Sequence, residues 1–367
     1  EEIELGIGNN ATAAWRHTTG RWDQLIVIAD GGIVWRTPDL INKVFLNTAE
    51  LPLPQDAAGV EALSHDLDGN GVANTADWAL DPRVLIDAGD DRSDDLLDPS
   101  DLIATFSDGL DDDGNGYIDD IAGWDFFERD NDAGATNEGH YGDHGNGVAR
   151  IAGAEANNGG RVGVCPNCAL LPVRIGDAFI STGDILAEAV AFATGHQAAS
   201  MTLAVGGMLT PDWLGEVFAN AWDNQLMIVA AAGDETSLHR NFPAVDPHAL
   251  FVHTIGPDTD DWEDASSFLR FVNCNNFGPR MDLVSVSKNA CATGSVAFIA
   301  GAAALIQSAA VDHLGERISS AQLYRVLTQT ATDIDVAESR GADADPELFP
   351  SYPGWDQYFG YGRVDVG

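Results

Sequence analysis

The sequence predicts an α/β domain with a mostly parallel central sheet and helices on both faces. Three observations predict it. Several runs of strand length are almost continuously apolar, as strands buried on both faces must be. Helix-period segments alternate with them, which requires crossover connections between parallel strands. No internal repeat and no long linker divides the 367 residues, so 1–367 is expected to form one domain around one large core.

In chain order, LIVIA (25–29) is the first buried strand, and it ends at Asp30. Residues 50–120 follow as an insertion rich in Asp, Gly and Asn, too polar to order itself around apolar contacts. IAGWDFF (121–127) reads as the next strand, 145–155 as a helix and ALLPVRI (169–175) as a third strand. A helix over GDILAEAVAFATGH (183–196) precedes the strand SMTLAV (200–205), and a helix at 210–223 precedes LMIVAAA (226–232). LFVHTIG (250–256) is the last apolar strand. An Ala-rich helix is expected from about 293 to 312 and another near 319–331.

The formal charge of −40, from 58 acidic and 18 basic residues, opposes binding to nucleic acid, whose phosphates would be repelled. It favours solubility and cation binding instead. No run of eighteen apolar residues is present, so no membrane span is expected, and the absence of a secretory signal fits a mature or trimmed chain. Four cysteines fall as Cys165 and Cys168 in CPNC, then Cys274 and Cys291. A CxxC pair serves a redox site, half a zinc site or a small disulfide loop. A thioredoxin-like role needs the motif to open a helix, whereas ALLPVRI downstream reads as a strand. In an extracellular setting two disulfides are expected, Cys165–Cys168 and Cys274–Cys291, with a four-cysteine zinc site as the other arrangement.

Within the insertion, DLDGNGVANTAD (66–77) follows the twelve-residue calcium loop. Asp66, Asp68 and Asn70 take the first three alternate ligand positions, and Gly71 supplies the sharp turn. Val72 would offer its carbonyl, with Asn74 and Asp77 after it. Alternate positions suit a hard cation because each successive donor turns inward. Asp77 stands where Glu is usual, which shortens its reach. DDDGNGYIDDIA (111–122) repeats the pattern with Asp111, Asp113, Asn115, Gly116, Tyr117 and Asp119. Ala122 ends it without a ligand, so Asp120 or another segment must supply one. Ca2+ would there order a loop-rich stretch that cannot otherwise offset its entropy.

Four separated segments carry a family resemblance: IVIADGGIVWRTPDL (26–40), HGNGVARIAGA (144–154), IVAAAGDETS (228–237) and CATGSVAFIAGAAAL (291–305). In order and spacing they resemble the subtilisin-like serine peptidases, or subtilases. The resemblance implies a subtilisin-like three-layer fold and extends to the DxDGNGYxDD stretch at 111–120. It also implies a secreted, extracellular or periplasmic protein that acts on polypeptide. In such an enzyme a hydroxyl needs a base to take its proton, and the base needs a carboxylate to fix its tautomer. Asp30 would be that carboxylate, at the carboxyl end of a strand where α/β sheets place reacting groups. His144 would be the base, although Gly147 replaces the second His of the family's HGTH block; His140 is its competitor. Aligning AGAAAL without gaps puts Thr293 where the family has its nucleophilic Ser, and Ala297 where it has Pro. Ser295 would serve only if two residues were deleted, which turns the helix by roughly 200°.

Asp234 falls where most subtilases have an Asn that donates to the oxyanion. An ionised Asp cannot donate, so the role would require its protonated form. His239 lies nearby and reads as an ordinary loop histidine. SMTLAVGG (200–207) resembles the segment that pairs with substrate, with Ala204, Val205 and Gly206 as candidate pocket walls. Two functions follow: a calcium-stabilised endopeptidase, or a pseudoprotease that keeps the fold and binds a peptide or partner.

Overall fold

In this computed structural model, residues 9–86, 95–135, 142–177, 181–207, 211–238, 241–257, 268–272, 274–288, 291–335, 349 and 351–367 are described. The elements in chain order are α1 (Ala11–Ala14), β1 (Leu25–Asp30), α2 (Pro99–Phe106), β2 (Trp124–Asp125), α3 (Gly142–Gly153), β3 (Ala169–Arg174) and α4 (Gly183–Gly195). They continue as β4 (Ser200–Leu203), α5 (Asp212–Asp223), β5 (Met227–Ala231), β6 (Ala249–Gly256), β7 (Arg270–Phe271), β8 (Leu283–Val286), α6 (Thr293–Leu314) and α7 (Ser320–Gln329). Contacts group the chain into two compact units, Arg21–Ala189 and Glu1–Gly20 with Val190–Gly367.

In the unit Arg21–Ala189, β3 runs parallel to β1, from Leu25 opposite Ala169 to Asp30 opposite Arg174, and parallel to β2 on its other edge. Every residue of β1 and β3 is buried, which explains their unbroken apolar runs. Helix α3 packs on both strands. Only Trp124 and Asp125 of the expected 121–127 strand pair with β3. The Asp125 carboxylate accepts the N–H groups of Phe127 (2.7 Å) and Glu128 (2.9 Å), which turns the chain out of the sheet. Its other oxygen meets the fully buried Arg174 guanidinium. The insertion is also less loop-like than its composition predicts. It contains α2, started by a capping box of Asp98 and Asp101, and it buries Trp78 and Leu102 completely.

In the unit holding the C-terminal half, β5 lies between β4 and β6, and β8 joins the other edge of β6, all in parallel. Among the described strands, β7 alone pairs antiparallel, with Phe271 opposite Ile255. At two and four residues, β7 and β8 are too short to announce themselves by periodicity. Helix α6 packs on β4, β5, β6 and β8, while α5 covers β5 and contacts α7. Helix α6 is long and apolar enough to cross a membrane, yet 83% of its apolar window is buried within the fold, as a core helix requires.

One buried group in β6 makes stability depend on pH. His253 is fully buried, with Nδ1 3.1 Å from the Thr254 carbonyl and Nε2 against that of Tyr358. Burial pulls it from the ordinary 6.5 down to about 4, although both carbonyls favour the cation. Above the unfolded value the ring is neutral in both states. As pH falls from 6.5 towards 4 the unfolded chain binds the proton first, so stability is lost in that window. The loss from this group is about 3 kcal/mol. Urea unfolding of the parent should therefore weaken more steeply over this window than unfolding of His253→Gln; equal slopes would count against it.

Candidate functional site

The site starts at the carboxyl end of β1. Asp30 is buried, its carbonyl accepts the Ile175 N–H (2.8 Å), and its Oδ1 accepts the Gly31 N–H (2.8 Å). His144 Nδ1 lies 2.8 and 2.9 Å from the two carboxylate oxygens. A carboxylate only accepts, so Nδ1 carries the proton and Nε2 is the basic nitrogen. The approach depends on the next residue of α3. A Cβ on Gly145 would lie 2.2 Å from the Gly32 carbonyl oxygen and 3.0 Å from the Asp30 Cβ. The helix is held from its other end as well. Asp39, from the Pro-Asp-Leu run, is buried and takes the Arg150 guanidinium through Oδ2 at 2.7 and 3.1 Å. His140 and His239 lie outside the described residues.

In the other unit, Thr293 is the first residue of α6 and is half-buried. Ser295 is fully buried. Its Oγ meets Thr254 Oγ1 (3.0 Å), Ser285 Oγ (2.8 Å) and the Ser285 carbonyl (3.2 Å), pinning α6 to β6 and β8. That hydroxyl is committed to the core. Ala292 brings no side-chain cap to α6. Instead, Asp234 Oδ1 accepts the Ala292 N–H at 3.4 Å. Asp234 is exposed, and in this contact its oxygen is the acceptor.

The loop carrying Asp234 is braced by two residues that motif matching missed. Asn276 is fully buried; its Oδ1 accepts the N–H groups of Glu235 (3.0 Å) and Ser237 (3.1 Å), and its own N–H reaches the Gly233 carbonyl (2.9 Å). Asn241 donates to the Ala232 carbonyl (3.3 Å) and the Glu235 carboxylate (3.4 Å). Neither belongs to a motif, and both sit in segments without periodicity. Both expected disulfides form, Cys165–Cys168 and Cys274–Cys291, and no cysteine among the described residues is free. The second links Cys291, two residues before Thr293, to the segment after β7. Of the candidate pocket walls, Ala204 and Val205 are buried in the core beyond β4, and only Gly206 is exposed. Gly207 and Phe242 exchange two main-chain hydrogen bonds at 2.8 Å, which fixes this segment.

The two acidic loops share one conformation. Asp66 Oδ1 accepts the N–H groups of Gly69 (2.8 Å) and Asn70 (3.0 Å), and Oδ2 that of Gly71 (2.9 Å). Asp111 does the same with Gly114 (2.8 Å), Asn115 (3.1 Å) and Gly116 (2.9 Å). Gly71 and Gly116 turn with φ of 90° and 96°, the left-handed geometry the motif demands. Asn70 and Asn115 side chains then hold the N–H groups of Val72 (2.8 Å) and Tyr117 (2.7 Å). In the first loop, Asp66, Asp68 and Asp77 bring carboxylate oxygens within 4.8 Å of one another. The Asn74 oxygen caps the following turn through the Ala76 N–H (2.9 Å).

The second loop draws a carboxylate from another chain segment, one of the two sources expected for it. Its third carboxylate is Glu50, which clusters with Asp111 and Asp113 within the same 4.8 Å. Glu50 Oε1 also accepts the Asp113 N–H (3.0 Å), and burial raises its carboxyl above the ordinary range. Asp120 instead accepts from Asn47 (2.7 Å) and Asn115 (2.9 Å), its carboxyl pushed up to about 7 by burial. Asp119 is turned away: its oxygens accept the N–H groups of Asp108 and Gly109, both at 2.9 Å, and its own φ is 55°. Both clusters are all-oxygen and anionic, a donor set that fits Ca2+.

A buried carboxylate holds an imidazole at the carboxyl end of a parallel strand, a pairing that hydrolytic triads also use. The sequence profile of the subtilase family matches residues 23–272, more than half of the chain, and the protein belongs to that family. Thermitase of Thermoactinomyces vulgaris is 29% identical over 223 residues, 56% of this chain and 76% of that one. The major intracellular serine protease of Bacillus subtilis (strain 168) is 24% identical over 219 residues, covering 54% of this chain and 66% of its own length. Among solved structures, the prenylagaramide maturation protease PagA superposes with a TM-score of 0.54 at 14% identity, over 97% of this chain and 95% of that one. The likeness to PagA shows the fold. The family match contains Asp30, His144 and Asp234 and ends before α6 and Thr293.

Removing the buried hydroxyl of Ser295 strips a partner from Thr254 and Ser285. Ser295→Ala should cost about 1–3 kcal/mol in denaturant unfolding, and an unchanged midpoint would show the cluster to be idle.

Proposed function

We propose that this chain is a subtilase-type endopeptidase, stabilised by calcium, in which Asp30 and His144 serve a hydroxyl nucleophile on Thr293. The hydrogen bond between Asp30 and His144 Nδ1 carries the proposal, because it leaves Nε2 as a base of fixed tautomer. In this reading Nε2 takes the Thr293 hydroxyl proton as the oxygen attacks a peptide carbonyl, then gives that proton to the leaving amine. Water reverses the sequence on the acyl ester. Thr293 brings a γ-methyl that restricts χ1, and Asp234 brings a carboxylate where an oxyanion donor would help; both lower turnover. The substrate is an extended polypeptide, 1–367 acts as one peptidase domain, and two disulfides favour a secreted, extracellular or periplasmic setting.

The exposed, accepting Asp234 favours a second reading, a pseudoprotease that binds a peptide or partner without turnover. Digestion of denatured casein in calcium separates the two. The parent should cleave slowly and His144→Ala should not cleave at all. Asp234→Asn, which restores a donor, should raise the rate by about a hundredfold, and Thr293→Ser should raise it further. Silence in every variant would leave the pseudoprotease.

Calcium would be held by Asp66, Asp68 and Asp77 in the first loop and by Glu50, Asp111 and Asp113 in the second, supplying cross-links between segments in place of an apolar core. Chelation should lower the melting temperature by roughly 5–10 °C. Glu50→Gln should lose part of that response and Asp119→Asn none of it; a melt indifferent to chelator would reject the metal.

A further inference from the structure

Three successive residues of α3 meet three successive stations of the segment leaving β1. His144 bonds Asp30, and Gly145 lies against Gly32. Asn146 Oδ1 then accepts both the Val34 N–H (3.3 Å) and the Thr37 O–H (3.1 Å). Residues 144 and 146 point about 200° apart round a helix, so the segment curls about the start of α3 and is gripped at both ends. Thr37 also closes a turn onto the Val34 carbonyl (3.0 Å), so Asn146 holds a compact turn rather than a loose strand. The grip at Asp30 brings together the proton-transfer pair. The grip at Val34 and Thr37 involves neither member of it.

We propose that Asn146 is a positioning residue: by anchoring residues 34–37 to α3 it fixes the distance and orientation between Asp30 and His144. Its kinetic consequence rests on the peptidase reading, but its geometric one does not. An imidazole displaced by about 1 Å loses on the order of a hundredfold in rate, so a clamp that prevents such a shift matters to turnover without touching substrate. Asn suits the place because one amide oxygen accepts two donors without adding a charge beside the pair.

The test uses the full chain with labelled histidine nitrogen. A hydrogen-bonded imidazole Nδ1–H gives a proton resonance downfield of the amides, assigned to His144 by its loss in His144→Gln. Asn146→Asp keeps an acceptor and should retain the resonance. Asn146→Ala and Thr37→Val should broaden or abolish it, with a 10–100-fold fall in kcat on casein and less than about threefold change in KM. Far-UV circular dichroism checks folding, and if Asn146→Ala unfolds, Thr37→Val decides. An unchanged resonance in a folded variant would overturn the proposal, as would its absence from the parent. A parent without turnover whose resonance still depends on Asn146 would sink the peptidase reading and leave the clamp standing.

Discussion

A carboxylate and an imidazole 2.8 Å apart impose demands on everything around them in their unit. Asp30 must leave water, and it does so at the end of a strand whose six residues are all buried. Its charge is met locally by the Gly31 N–H and the His144 Nδ1–H. The helix must come close, so its second contact residue is Gly145, where a side chain would strike the Gly32 carbonyl. The far end of that helix is then tethered through Arg150 to Asp39. The sheet fixes the carboxylate and the tethered helix fixes the imidazole.

The start of α6 poses the opposite electrostatic problem. A helix N-terminus attracts negative charge, and in this chain a side-chain carboxylate already stands there, Asp234 on the Ala292 N–H. A negative charge held in that place competes with any oxyanion that needs the same field. The loop that carries it is braced by the buried Asn276 and Asn241, so the carboxylate is presented by a built support. Such a support fits equally an enzyme of low turnover and a module that recognises without cutting, which is why the donor-restoring substitution discriminates between them.

Much of the unit cores was legible because buried parallel strands cannot hide: β1, β3, β5 and β6 fall where apolar runs place them. Asp30 and His144 were legible through blocks whose spacing matches the family, and the distance between them agrees. What escaped depends on facts outside any local window. Glu50 lies 61 residues before Asp111, so no loop template includes it. Asp119 fits a template position by count, but a left-handed φ turns its carboxylate onto Asp108 and Gly109. Ser295 and Thr293 are both hydroxyls near one helix start, and only burial separates them. Ala204 and Val205 were placed by resemblance to a substrate edge, and both are buried just beyond β4.

The knot of Ser295, Thr254 and Ser285 has a consequence for the surface it never reaches. Much of α6 presents alanine and glycine to its strands, a smooth barrel on which many angular settings pack almost equally well. Apolar contacts alone would let such a rod roll. Hydroxyls that find partners only in one setting act as a keyway, a use for which buried polar groups are well attested elsewhere. Since Ser295 is locked inward, the rotational phase of the whole rod, and with it the placement of every side chain along it, is set by atoms that no solvent touches.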